Sequence, residues 1–190
     1  MPSRTTWIFA GTILVAGATF ASPRTAHAFE HQHHVGVGLG GSLLSLRDRD
    51  HPQWGPALSL HYTYGLSDTW NVMVETGFTI PSFGEFVYPR VTPNRPTHMA
   101  YGAAGFGYLI DVLRWVPYVG VLASGYAVGG GTVPAEHGIF GVQLAVGLDY
   151  AFTRHWSAGF AFRQHFLLSD FSNFPSLSTG VLRAEYTWGF

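Results

Sequence analysis

Beyond residue 28 the side chains alternate with a period of two, the spacing of an extended chain whose successive residues face opposite ways. Leu58, Leu60, Tyr62 and Tyr64 alternate with Ser59, His61 and Thr63. Trp70, Val72, Val74, Thr76, Phe78 and Ile80 alternate with Asn71, Met73, Glu75, Gly77 and Thr79. Phe140 to Tyr150 repeats the pattern against Gly141, Gln143, Ala145, Gly147 and Asp149. So do Trp156, Ala158, Phe160 and Phe162 against Ser157, Gly159, Ala161 and Arg163. Leu182, Ala184, Tyr186, Trp188 and Phe190 alternate with Arg183, Glu185, Thr187 and Gly189. Each run is about ten residues long, enough for a tilted strand to cross a bilayer.

Three less clean stretches, 34–46, 99–110 and 116–128, bring the predicted strands to eight. In the last two, glycine and alanine occupy both parities and leave the facing open. The connectors are of two kinds. Tyr64-Gly-Leu-Ser-Asp-Thr-Trp70 matches Tyr150-Ala-Phe-Thr-Arg-His-Trp156, and Tyr108 to Trp115 is the same unit with one extra residue. These units recur at about forty residues, two strands plus a loop, which is a hairpin repeat. The other connectors, 47–56, 81–98, 129–136 and 169–176, are longer and polar. Even strand number, short turns at one end and long loops at the other predict an all-β chain, an eight-stranded antiparallel up-and-down transmembrane β-barrel.

Composition separates this barrel from a soluble one. Charged residues make up 11% of the chain and aromatics 16%, whereas soluble domains carry about a quarter charged residues. The face opposite the bulky apolar one is mostly Gly, Ala, Ser and Thr, too small and uncharged for a solvated exterior. It suits a narrow interior filled by side chains. The bulky face therefore meets lipid, and Tyr64, Trp70, Tyr150, Trp156, Tyr186 and Trp188 at its short-turn end form an interfacial girdle. Glu75, Asp149, Arg163, Arg183 and Glu185 are the charges within strands, and all five fall on the small-residue face. On the lipid face an Arg costs roughly 2–4 kcal/mol at the midplane. Inside, two Arg against three carboxylates either pair across the lumen or are solvated near its rims.

The one continuously apolar stretch, Trp7 to Ala21, is shorter than the ~20 residues of a spanning helix. Arg4 precedes it and Ala26-His27-Ala28 follows as a small-x-small site. Residues 1–28 thus read as a removable signal peptide, and 29–190 as the barrel domain. With export, the absence of Cys means that no disulfide supports the fold. A formal net charge of -1 argues against nucleic acid as a partner. All ten basic residues are Arg and none is Lys.

The last strand ends on Phe190 after Trp188, Tyr186, Ala184 and Leu182, and resembles the terminal-aromatic signal read by the outer-membrane barrel-assembly machinery. With this signal, the mature chain resembles the small eight-stranded outer-membrane barrels of the OmpA/OmpX-like superfamily. The resemblance implies outer-membrane lipid as surroundings, assembly through Phe190 and a monomeric barrel of the Gram-negative cell envelope. It names an architecture and not an activity.

Candidate chemistry is sparse. Glu30-His31-Gln32-His33-His34 is dense enough in imidazole for Zn or Cu, but a flexible tail lacks a true site's fixed geometry and second shell of supporting bonds. No metal, cofactor or catalytic residue is assigned. His165 faces inward toward the long loops, with Ser169 and Asp170 after it. The lipid A deacylase pattern, His-x-Ser-Asn on a strand, is not matched by His165-Phe-Leu-Leu-Ser169, nor by Ser172-Asn173 beyond. His165 and His61 both read as hydrogen-bonded lumen histidines. The expected function is non-enzymatic, structural or surface-interacting, through the long loops. A lipid-handling or lipid-modifying barrel and a narrow solute-conducting barrel are the alternatives. Approach of His165 to Ser169 would favour the first alternative, and a continuous lumen the second.

Overall fold

The computed structural model describes residues 29–46, 52–81, 96–110, 112, 114–131, 133 and 137–189. Among them are eight strands: β1 (His33–Ser45), β2 (Gln53–Gly65), β3 (Trp70–Thr79), β4 (His98–Leu109), β5 (Trp115–Gly129), β6 (His137–Ala151), β7 (Trp156–Phe166) and β8 (Ser176–Trp188). Each pairs antiparallel with its sequence neighbours, and β1 pairs with β8, so the sheet closes into an eight-stranded up-and-down barrel. Closure pairs every strand on both sides and leaves no edge, the condition for strands in lipid. The expected signal segment, Phe190, and most of the long loops lie outside the described residues.

The strands run further toward the long loops than the alternation alone indicated. β2 starts at Gln53, inside the expected connector 47–56, and β6 begins at His137. Polar and glycine residues there keep to the ladder because their neighbours supply register: Gln53 lies opposite Leu44, and Gly138 opposite Ala127.

The outward face is apolar along all eight strands, with Leu182 at 72% exposure as its extreme. The first and third short turns are built alike. In the first, Ser67 Oγ accepts from Trp70 N at 3.1 Å; in the third, Thr153 Oγ1 accepts from Trp156 N at 3.0 Å. This local side-chain bond is what Ser and Thr offer a tight turn, and it accounts for their shared place in the repeated unit. The Trp ending each turn meets the Tyr of the following strand: Trp70 on Tyr108 (5.4 Å between ring centroids), Trp115 on Tyr150 (4.8 Å) and Trp156 on Tyr186 (5.1 Å). Across the seam, Trp188 stacks on His33 at 5.3 Å, and His33 leans on Tyr64 at 5.0 Å. The expected girdle is therefore present and gains Tyr108, Trp115 and His33.

The facing left open for β4 and β5 is decided by the register. Met99, Tyr101, Ala103 and Leu109 of β4, and Val116, Tyr118, Leu122, Ser124, Tyr126 and Val128 of β5, are buried in the lumen. Small residues of these strands also face lipid, in matched rungs: Ala100 opposite Ala127, Gly102 opposite Gly125 and Ala104 opposite Ala123. Here the rule of bulk outward and small inward inverts. The large inward rings need glycine across from them: Tyr101 lies over Gly77 and Tyr118 over Gly147, where a Cβ would sit 2.4 Å from the ring.

Candidate functional site

The alternation that turns apolar side chains to lipid turns the polar ones inward, so the candidate chemistry collects in the lumen, in layers. All five in-strand charges are buried there, as their parity requires. At mid-depth Arg163, 1% exposed, donates from Nε to Glu75 Oε2 at 2.6 Å. The Tyr101 hydroxyl donates to the other carboxylate oxygen at 2.7 Å. Toward the short turns a second group centres on Glu185. His34 Nδ1 and His61 Nε2 each lie 2.9 Å from one of its oxygens, and Arg183 Nη2 donates to it as well. Arg183 Nη1 donates to the Tyr118 hydroxyl at 2.5 Å, and the guanidinium lies 4.9 Å from that ring's centroid. Its Nε is 3.2 Å from Asp149 Oδ1, near enough to attract but not aligned for a hydrogen bond. The charges are thus paired across the lumen. Pairing is what burial of a guanidinium demands, since an unpaired ion in such surroundings costs several kcal/mol.

Above this layer the polar groups are neutral. His165 Nδ1 shares a hydrogen bond of 3.0 Å with the Tyr126 hydroxyl, which is bonded in turn to Ser124 at 2.7 Å. His165 Nε2 is 3.3 Å from Thr179 Oγ1. Over them lies an apolar seal of Leu44, Met99, Val128, Ile139, Leu167, Phe174 and Leu177. Leu167 and Phe174 come from the β7–β8 connector, whose 3-10 turn (Leu168–Asp170) packs beside β6. At the short-turn end a cavity of about 120 Å³ opens among Phe29, His34, Met73, Tyr118, Asp149 and Arg183.

The candidate histidines separate. His165 and His61 are lumen histidines with hydrogen-bond partners, as expected. Ser169, exposed, accepts from the backbone N–H of Phe140 at 2.8 Å, while both ring nitrogens of His165 are held by Tyr126 and Thr179. The two residues do not meet. The stretch 30–34 is not the flexible tail its composition implied. His33 and His34 belong to β1, and as adjacent strand residues they face opposite ways, His33 to the girdle and His34 to Glu185. Phe29 was not singled out by sequence. It stacks on His34 at 5.6 Å, and its only sequence signal is its place after the small-x-small site.

A family model, the outer membrane protein beta-barrel domain, matches residues 12–190. The chain belongs to this family. It is an outer-membrane protein, and the surroundings of its apolar face are outer-membrane lipid. The solved barrel of neisserial surface protein A superposes with a TM-score of 0.59 at 14% identity, covering 83% of this chain and 97% of that one. The N-terminal barrel domain of OprF from Pseudomonas aeruginosa gives 0.59 at 12% identity, covering 84% and 98%. Ail, the attachment invasion locus protein of Yersinia pestis, gives 0.55 at 15% identity, covering 84% and 99%. At these identities the likeness is one of fold. No curated protein matches the chain in sequence.

Proposed function

We propose that this outer-membrane barrel is a non-enzymatic, monomeric anchor that presents its long loops at the cell surface, in envelope integrity or surface recognition. The observation that carries this reading is the filled lumen. Arg163 and Leu122 at 1% exposure, and Gln143, His165 and Ala161 at 0%, fill it at and around mid-depth, with the apolar seal above them. A lumen so packed offers no path to a solute. The separation of His165 from Ser169 removes the one pair of residues that suggested lipid modification. Neisserial surface protein A and Ail carry surface and attachment roles in their names, which fits such a scaffold and transfers no ligand. Residues 1–28 are removed on export.

Recording from the purified protein in planar bilayers, with acyl-chain profiling of lipid A from overproducing cells, tests the reading. The expected result is no stable open level and an unchanged acyl pattern. A stable open level would replace the anchor with a narrow conducting barrel, and an altered pattern would replace it with a lipid-modifying one.

Assembly runs through the terminal aromatic. Deleting Phe190 should lower the amount of heat-modifiable, folded barrel in the membrane while changing the stability of what folds much less, because one terminal side chain contributes at most roughly 1.5–3 kcal/mol. Equal assembly of the deletion would remove the recognition role.

A further inference from the structure

The chain ahead of β1 does not run straight out of the barrel. It turns back so that Phe29 enters the lumen mouth. Gln32 N donates to the Phe29 carbonyl at 3.2 Å, His31 N to Gly65 O at 2.9 Å and Gly65 N to Gln32 O at 3.0 Å. His31 holds this turn at φ 61°, left-handed backbone that favours glycine. Gly65, the last residue of β2, leaves room for it: a Cβ there would lie 1.8 Å from the Phe29 carbonyl oxygen. The ring stacks on His34 and packs against Met73, Leu109, Val116 and their neighbours in the lower lumen. Three separate features, a strained residue, a glycine and a ring stack, thus seat one residue, and it is the residue after the expected cleavage site.

The cavity that Phe29 lines has Arg183 and Arg154 on its wall with the carboxylates Asp149 and Glu185. Glu75 and Arg163 cancel at mid-depth. Below them Arg183 faces two carboxylates, Glu185 and Asp149, and both imidazoles are bonded to Glu185. Glu185 has its oxygens filled by His34, His61 and Arg183. Asp149, 5% exposed, lies beside Arg183, yet its Oδ1 accepts no hydrogen bond. His34 Nε2, lining the same cavity, is also without a partner. A buried carboxylate in this position calls for a cationic hydrogen-bond donor.

We propose that the cavity is a binding site for the chain's own processed amino terminus. Hydrolysis of the Ala28–Phe29 peptide bond by the leader-removing peptidase takes up one water and leaves a carboxylate on Ala28 and an α-ammonium on Phe29. That ammonium pairs with Asp149, and the phenyl ring closes the mouth of the lumen at the short-turn, periplasmic side. Removal of the leader thereby supplies the donor that Asp149 lacks.

The proposal rests on cleavage after Ala28, and its test separates the two. The chain contains no lysine, so the mature protein carries one primary amine and acetylation by an N-hydroxysuccinimide ester reads that group alone. Protein purified from outer membranes is first sequenced from its amino terminus. A first residue other than Phe29 overturns the cleavage reading and the proposal with it. With Phe29 first, acetylation of the folded barrel in detergent is expected to be about tenfold slower than in urea, because an ion-paired ammonium supplies less free amine. In folded Asp149→Asn the rate should rise toward the unfolded value. Equal rates in folded and unfolded wild type, or full protection in Asp149→Asn, would overturn the pairing, the second by showing mere burial. Should Asp149→Asn not assemble, Gly65→Ala displaces the Phe29 carbonyl without altering a charge. It is expected to raise the rate likewise, and unchanged protection there overturns the proposal.

Discussion

The two halves of the lumen are filled by the same kinds of strand and yet by opposite chemistry. Toward the short turns, Arg183, Asp149, Glu185, His34 and His61 form a charged cluster beside a cavity that opens outward. Toward the long loops, His165, Tyr126, Ser124 and Thr179 form a neutral chain beneath a dry apolar seal. Glu75 and Arg163 mark the boundary. The difference follows from access to water. A charge is tolerated where the cavity or a close counter-ion keeps its field satisfied, and the sealed half can hold only groups whose hydrogen bonds close among themselves. Asp149 illustrates the first case, lining the cavity, and His165 the second, with both ring nitrogens engaged by hydroxyls.

The largest expected effect lies at the boundary. Arg163→Ala leaves Glu75 buried without its cation and should cost about 3–5 kcal/mol. Replacing Arg163 and Glu75 together by Met should restore most of that loss, since the pair is buried on both sides. Urea midpoints of the barrel in lipid vesicles measure both. A small effect of the single change would mean that water reaches this depth, and the contrast between the halves would then fail.

A smaller effect sharpens the contrast. The same substitution at two buried histidines should differ by half of the lumen. His61→Leu removes a bond to a carboxylate and should cost about 1.5–3 kcal/mol, whereas His165→Leu removes neutral bonds and should cost about 0.5–1.5 kcal/mol. The same urea titration orders them. Equal costs would show that the charged cluster gains nothing from its imidazoles.

Much of this molecule is legible in one pass along the chain. Eight strands, the division into short turns and long loops, the inward parity of Glu75, Asp149, Arg163, Arg183 and Glu185 and most of the girdle follow from alternation. Facing is a property of adjacent residues: a side chain's neighbours at two residues' distance tell it which way to point, and no tertiary contact is needed. The repeat of Tyr, Ser or Thr, and Trp likewise reflects turns whose hydrogen bonds stay within four residues.

What closure alone decided involves residues far apart in sequence. β4 and β5 carry small residues on both parities, so their alternation has too little contrast to assign a face, and the ladder to β3 and β6 assigns it instead. Each Trp that ends a short turn meets the Tyr of a neighbouring hairpin and not its own, because the stagger of a tilted barrel sets that match. Arg163 and Glu75 lie 88 residues apart, and nothing local links them. Phe29 shows the limit most clearly. Its position after a cleavage site is written in the chain, but its seat beside His34 exists only because β1 joins β2 on one side and β8 on the other. Period-two patterning determines faces, and only the closed ring determines which faces meet.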